Sequence, residues 1–316
     1  MTPGKHIVLE TLIVHFVNME PAVAANDPGT TLRVATAPDV ELDVAVVGTG
    51  VPLLLLHGFP DNRDLWQELV PALAAHHRLW MPDLRGYRQS SKPPLVDDYT
   101  IRKLVEDVRE LADRASGSPQ GSLSVAGHDW GGMLAWAFAA LHPERVERLI
   151  IFNAPHPCRF AELLRTNAAQ QVASSYVQRL ATPGAEDAMA ANGHERMRSL
   201  MQQSLPRMSE DDLQSLAAGW AVPGALAAML NWYRALDIHD PHAVPNLAPA
   251  SGDIAAPTLL LWGERDGAFV PENLLTLERW VHRLTLRRFA DAGHWLPREK
   301  PMEVAAEMLA FLSDRS

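Results

Sequence analysis

Six consecutive residues, Gly127-His128-Asp129-Trp130-Gly131-Gly132, carry the clearest chemical signal in the chain. They follow the apolar run Leu123-Ser124-Val125-Ala126 and precede Met133-Leu134-Ala135-Trp136-Ala137-Phe138, so a strand, a tight turn and a buried helix are expected in succession. Small residues surround Asp129 because a sharp strand-to-helix turn leaves little room for Cβ atoms. A carboxylate presented there is already an anion at neutral pH and needs no base to activate its attack. Attack on an acyl carbon would give only an anhydride. Displacement at an sp³ carbon instead leaves an alkyl ester on the protein. That chemistry suits carbons with a good or assisted leaving group, such as an epoxide or a halide.

Two further residues can complete the reaction. Asp266 lies in Trp262-Gly263-Glu264-Arg265-Asp266, just past the apolar run ending at Trp262. His294 lies in Asp291-Ala292-Gly293-His294-Trp295, past the last expected strand. His294 would take a proton from the water that cleaves the ester, and Asp266 would hold the imidazole tautomer and stabilise its charged form. Glu264 is a neighbouring rival for the acid. From the other side, the backbone N–H groups of Phe59, in His57-Gly58-Phe59-Pro60, and of Trp130 can point at the ester carbonyl oxygen of Asp129. They would stabilise the tetrahedral oxyanion of hydrolysis. The chain order of nucleophile, acid and histidine is that of α/β-hydrolases, whose G-x-S-x-G serine sits on the same kind of turn. Aspartate in the serine's place excludes a serine esterase.

These residues need a frame that brings strand ends together. Thr31-Leu32-Arg33-Val34 and Leu42-Asp43-Val44-Ala45-Val46 alternate like a half-exposed edge hairpin. Val51 to Leu56, Leu79 to Asp83, Leu123 to Ala126, Leu149 to Phe152 and Leu259 to Trp262 are apolar runs of the kind found in buried parallel strands. Leu284 to Phe289 supplies a last strand, and helical stretches such as Thr100 to Ala112 and Pro301 to Leu312 lie between most of them. The expected class is α/β, a mostly parallel central sheet flanked by helices. From about Cys158 to Gly252 only helix-like segments remain. The expected organisation is an N-terminal extension over residues 1–30, a core over 31–157 and 253–316, and a helical cap over 158–252.

His57 to Pro60, Gly127 to Gly132 and Gly293-His294-Trp295 together resemble the α/β-hydrolase-fold epoxide hydrolases, and the likeness runs from about Thr31 onward. In the cap, Leu230-Asn231-Trp232-Tyr233-Arg234 resembles the family segment with a ring-opening tyrosine. The resemblance implies that Tyr233 donates a hydrogen bond or proton to the epoxide oxygen. Chemistry agrees, because ring opening develops an alkoxide and a phenol is a suitable acid for it. The family has a second cap tyrosine; Tyr176, in Ala173-Ser174-Ser175-Tyr176-Val177, is assigned that role. Arg179 offers an alternative alignment, and His156 or His194 an alternative side chain.

The nearest rival is a haloalkane or haloacid dehalogenase, which shares the Asp nucleophile, His base and ester. The related haloalkane enzymes bind halide with the Trp after the nucleophile plus an Asn or Trp near the first oxyanion position. Trp130 fits, but Phe59 has no side-chain N–H. Haloacid relatives carry arginines just after the nucleophile, where this chain has Met133 and Leu134. A non-catalytic ligand-binding homologue is more distant, since such proteins often lose part of the triad.

Bulk properties fit this reading. With 316 residues the chain can bury a large core, and its net charge of −10 argues against nucleic acid as a partner. The single cysteine, Cys158, gives no disulfide framework and so no sign of an oxidising compartment. Residues Ile7 to Val14, preceded by Lys5, loosely mimic a signal peptide, but Glu10 interrupts them and Met19 offers an alternative start. No stretch approaches the ~20 apolar residues needed to span a bilayer. His76-His77 lacks further metal ligands at usable spacing. The expectation is a cytoplasmic monomer or homodimer, independent of cofactor, metal and membrane, acting on a small apolar epoxide.

Overall fold

A computed structural model describes residues 29–236 and 252–314. The signal-like stretch and the alternative start at Met19 lie outside those residues. Eight strands form one sheet: β1 (Thr30–Ala37), β2 (Val40–Val47), β3 (Val51–Leu56), β4 (His77–Asp83), β5 (Leu123–His128), β6 (Val146–Phe152), β7 (Thr258–Gly263) and β8 (Leu284–Phe289). Their spatial order is β1-β2-β4-β3-β5-β6-β7-β8. β1 and β2 form the expected edge hairpin, β2 runs antiparallel to β4, and every other pair is parallel.

The apolar runs become the middle of this sheet because parallel strands are covered on both faces. β5 and β7 are buried along their whole length, and Leu53 to Leu56 of β3 expose nothing. Each such leucine contributes roughly 1.5–3 kcal/mol relative to exposure. A short helix α1 (Val70–Leu73) links β3 to β4, followed by α2 (Ile101–Ser116) and α3 (Trp130–Leu141). α2 sends Leu104, Val105, Val108, Leu111 and Ala112 inward, one stripe at helical spacing, and stops where Gly117 turns left-handed at φ 73°. α3 is buried from Trp130 to Ala139, as a helix that is apolar all round must be.

Between β6 and β7 the described residues form six helices and no strand: α4 (Pro157–Thr166), α5 (Ala168–Ala173), α6 (Ser175–Ala181), α7 (Ala185–Ser204), α8 (Glu210–Trp220) and α9 (Ala225–Arg234). Left-handed residues from Asn192 to His194 kink α7. Indole donors fasten this block to the sheet's loops. Trp220 Nε1 donates to the Pro60 carbonyl at 2.7 Å and Trp232 Nε1 to that of Arg85 at 2.9 Å. Past β8 come α10 (Leu296–Glu299) and α11 (Pro301–Ser313). Among the described residues no single helix is long and apolar enough to cross a membrane.

Candidate active site

Parallel strands aim their carboxyl ends at one edge of the sheet, and the loops there meet. Asp129 leaves β5 and begins α3 with φ 52° and ψ −122°, a conformation that costs a non-glycine residue about 1–3 kcal/mol. Its surroundings make that turn possible. A Cβ on Gly131 would press on the Leu56 and His57 carbonyls, and one on Gly58 on the side chain of Asp129 itself.

Backbone donors hold the carboxylate. The Phe59 N–H donates to Asp129 Oδ2 at 2.8 Å, and the Trp130 N–H is a second donor. Burial alone would raise the Asp129 carboxyl, but the hydrogen bond and charge of His294 outweigh it and hold the group below the usual carboxylate range. Asp129 is therefore an anion at neutral pH.

His294 stands between two carboxylates. Its Nδ1 is 2.8 Å from Asp266 Oδ2, and its Nε2 is 3.5 Å from Asp129 Oδ1. Burial pushes the imidazolium down, yet the Asp266 charge and the hydrogen bonds to Asp129 and Asp266 lift it to about 10. Asp266 is almost fully enclosed. Its Oδ1 accepts the N–H groups of Ala268 at 2.7 Å and Phe269 at 3.2 Å. Glu264 points outward and pairs with Arg288 at 2.7 Å, which removes it as a rival for the acid.

Tyr233 on α9 and Tyr176 on α6 reach the same small cavity, about 40 Å³, that Asp129, Trp130, Met133 and Phe160 help to line. The Tyr233 ring meets those of Phe59 and Trp130 edge-on, each with centroids 5.3 Å apart, and lies 6.3 Å from that of Tyr176. Burial, then the nearby anionic charge, raises both phenols far above the ordinary tyrosine range, so both keep their protons. The alternatives for Tyr176 fall elsewhere. Arg179 is exposed, His156 bonds the Gly252 carbonyl at 2.9 Å, and His194 sits in the α7 kink. A larger open cleft of about 810 Å³ lies between the β1–β2 turn and α2 and is lined by none of these site residues.

Sequence reasoning missed several polar groups that hold these loops. Asn153, just past β6 with φ 41°, donates from Nδ2 to Asp266 Oδ2 at 2.8 Å and accepts the Gly263 N–H at 2.9 Å through Oδ1. A lone amide closing the apolar run Leu149 to Phe152 was the available signal. His57 and His128 are wholly buried, and burial pushes each down to about 4, so both are neutral. His57 Nε2 accepts the Leu84 N–H at 3.0 Å, while His128 Nε2 lies 2.8 Å from the His294 carbonyl. Those partners put the proton on Nδ1 of His57 and on Nε2 of His128.

A carboxylate on a strained strand-to-helix turn, at the carboxyl ends of a parallel sheet and beside a histidine, is the arrangement that the α/β-hydrolase fold requires of a site. Accordingly, the family model described as alpha/beta hydrolase fold matches residues 51–301. The AB hydrolase superfamily protein YfhM of Bacillus subtilis (strain 168) is 31% identical over 92% of this chain and 97% of its own length. Epoxide hydrolase 4 of Mus musculus is 30% identical over 86% of this chain and 76% of its own. The crystal structure of Bacillus megaterium epoxide hydrolase in complex with an inhibitor superposes with a TM-score of 0.84 at 33% identity, covering 90% of this chain and all of that one. The chain belongs to the alpha/beta hydrolase fold and, within it, to the epoxide hydrolase family.

Proposed function

We propose that the protein hydrolyses apolar epoxides to vicinal diols through an alkyl ester on Asp129. The observation that carries this reading is the shared cavity: the carboxylate and two protonated phenols, Tyr176 and Tyr233, line the same apolar space. A carboxylate can open a neutral epoxide only if the departing oxygen is stabilised as its charge develops, and phenols supply that. Relatives named as epoxide hydrolases support the substrate class.

Asp129 attacks a ring carbon, the carbon–oxygen bond breaks, and a phenol proton passes to the oxygen. The phenol is restored by the proton of the His294 imidazolium. Esterification cancels the Asp129 charge, one of the influences that raise His294, so the imidazole now tends to stay neutral. Neutral His294, oriented by Asp266, removes a proton from water as its oxygen attacks the ester carbon. The Phe59 and Trp130 N–H groups hold the resulting oxyanion. The leaving alkoxide takes the remaining proton of that water, and carboxylate and imidazolium are regenerated. No cofactor enters this cycle. The segment 158–252 acts as a cap, whose helices α6 and α9 bring the phenols to the core formed by 31–157 and 253–316.

A dehalogenase would share the ester but needs different help for its leaving group. Phe59 lacks a side-chain N–H, and neither arginine nor lysine is among the residues lining the cavity. The test is the intact mass of His294→Gln after exposure to styrene oxide and, separately, to bromohexane. A gain of the whole epoxide, mapped to Asp129, is expected. A hexyl adduct with bromide released, and none from the epoxide, would make the protein a dehalogenase.

A further inference from the structure

Ester hydrolysis needs two loops to be right at once. The Phe59 N–H must meet the developing oxyanion while His294 meets the attacking water on the other side of the ester. Phe59 follows β3 and His294 follows β8, and β5, β6 and β7 lie between those strands. No strand ladder sets one loop against the other. A side-chain link does. Arg298 on α10, four residues past His294, grips Asp61, two residues past Phe59, with Nε at 2.8 Å from Oδ2 and Nη2 at 2.7 Å from Oδ1.

The Asp61 side chain is wholly buried and that of Arg298 nearly so. Asp61 Oδ1 also accepts the Asn62 N–H at 2.9 Å, so the carboxylate is fixed in its own loop as well as to the guanidinium. On the neighbouring residue, Trp220 Nε1 grips the Pro60 carbonyl. The peptide that carries the Phe59 donor is thus followed directly by two anchored groups. Enclosing an ion pair is a poor route to stability, because desolvation offsets most of the attraction and an apolar pair of similar size often serves as well. What such a pair does supply is a rigid, two-pronged geometry that apolar contacts lack.

We propose that the Asp61–Arg298 pair is a positioning device for ester hydrolysis, setting the Phe59 oxyanion donor against the His294 base. The proposal rests on the reading that an ester forms on Asp129. Alkylation uses the Phe59 N–H only to hold a carboxylate that the Trp130 N–H and His294 also hold, and its acid is a phenol that the pair does not touch. Hydrolysis depends on both loops that it joins. Removing the pair therefore slows the second step far more than the first.

The test is single-turnover, rapid-quench kinetics with styrene oxide on the double variant Asp61→Leu/Arg298→Met, with ester and diol followed separately. Ester formation is expected to stay within about twofold of wild type, while ester hydrolysis slows about ten- to a hundredfold, as loosened reacting geometry does. Intact mass should then show the ester accumulating in steady state. Wild-type hydrolysis in the folded double variant, or equal slowing of both steps, overturns the proposal. Should the double variant not fold, Arg298→Lys keeps the charge, loses the two-pronged bond and is read in the same way. His294→Gln serves as the control for the underlying chemistry. If it gains no epoxide adduct, the ester reading itself fails; an adduct there with unslowed hydrolysis in the pair variants rejects the positioning role alone.

Discussion

Asn153 Nδ2 donates to Asp266 Oδ2 at 2.8 Å, the same oxygen that faces His294 Nδ1. The amide also closes the end of β6 onto β7, because its Oδ1 accepts the Gly263 N–H and its Nδ2 donates to the Gly263 carbonyl at 3.1 Å. One side chain thereby ties the proposed acid to the strand that carries it. Asparagine suits the position on two counts, since it tolerates φ 41° and offers both a donor and an acceptor.

Replacing Asn153 by leucine should therefore act twice. The Gly263 N–H loses its acceptor, which should lower stability by about 1–3 kcal/mol in urea unfolding. Asp266 loses a donor, and the hydrolytic step should slow about tenfold. Unchanged ester hydrolysis in the folded variant would remove Asn153 from the account.

The phenols are expected to act on alkylation alone. Tyr233→Phe and Tyr176→Phe should each slow ester formation, the double variant by about 10²–10⁴-fold, the usual range for losing acid assistance. Ester hydrolysis, measured after a pulse of substrate, should be little changed. A Tyr176→Phe variant that alkylates at the wild-type rate would reduce that residue to packing.

The pH dependence of the two steps should differ. Asp129 is held below the carboxylate range and both phenols far above 10, so alkylation should be flat between about pH 5 and 9. Hydrolysis needs neutral His294 and should rise with pH. For stability the sign runs the other way. The folded value of about 10 exceeds the unfolded one near 6.5, so the pairing of His294 stabilises fully below 6.5 and its contribution is lost as pH rises to about 10. The stability advantage of wild type over His294→Gln, followed by urea unfolding, should shrink across that window.

Gly131→Ala tests the turn that presents Asp129. The new Cβ would meet the backbone carbonyls of Leu56 and His57, which cannot swing aside as a side chain could. A loss of about 1–3 kcal/mol is expected, with slower alkylation from the displaced carboxylate. An alanine variant as stable and active as wild type would show the turn to be looser than described.

Much of this arrangement was legible in the sequence because the sheet imposes simple rules. Strands covered on both faces must read as unbroken apolar runs, so β3, β5, β6 and β7 stood out, and residues just past such runs gather at one edge. Asp129 and Asp266 could be picked out on that basis, and His294 by its place past the last expected strand. Glu264 could be told from Asp266 only by which way each side chain points. Tyr176 could be told from Arg179 only by burial, because α6 is short and its sequence fixes no register. The supports were hidden for a different reason. Asn153, Asp61 and Arg298 act across 113 and 237 positions of sequence, in the bonds Asn153–Asp266 and Asp61–Arg298. Their partners are set by the order of strands in the sheet, which no local pattern records. His57 and His128 were visible as residues, but their neutrality follows from burial.

In the proposed reaction Asp129 itself attacks the epoxide. A single turnover of styrene oxide by excess enzyme in oxygen-18 water tests it most directly. An unlabelled diol is expected, with the label left in the Asp129 carboxylate. Label appearing in the diol in that first turnover would mean that water attacks the ring directly and that no ester forms.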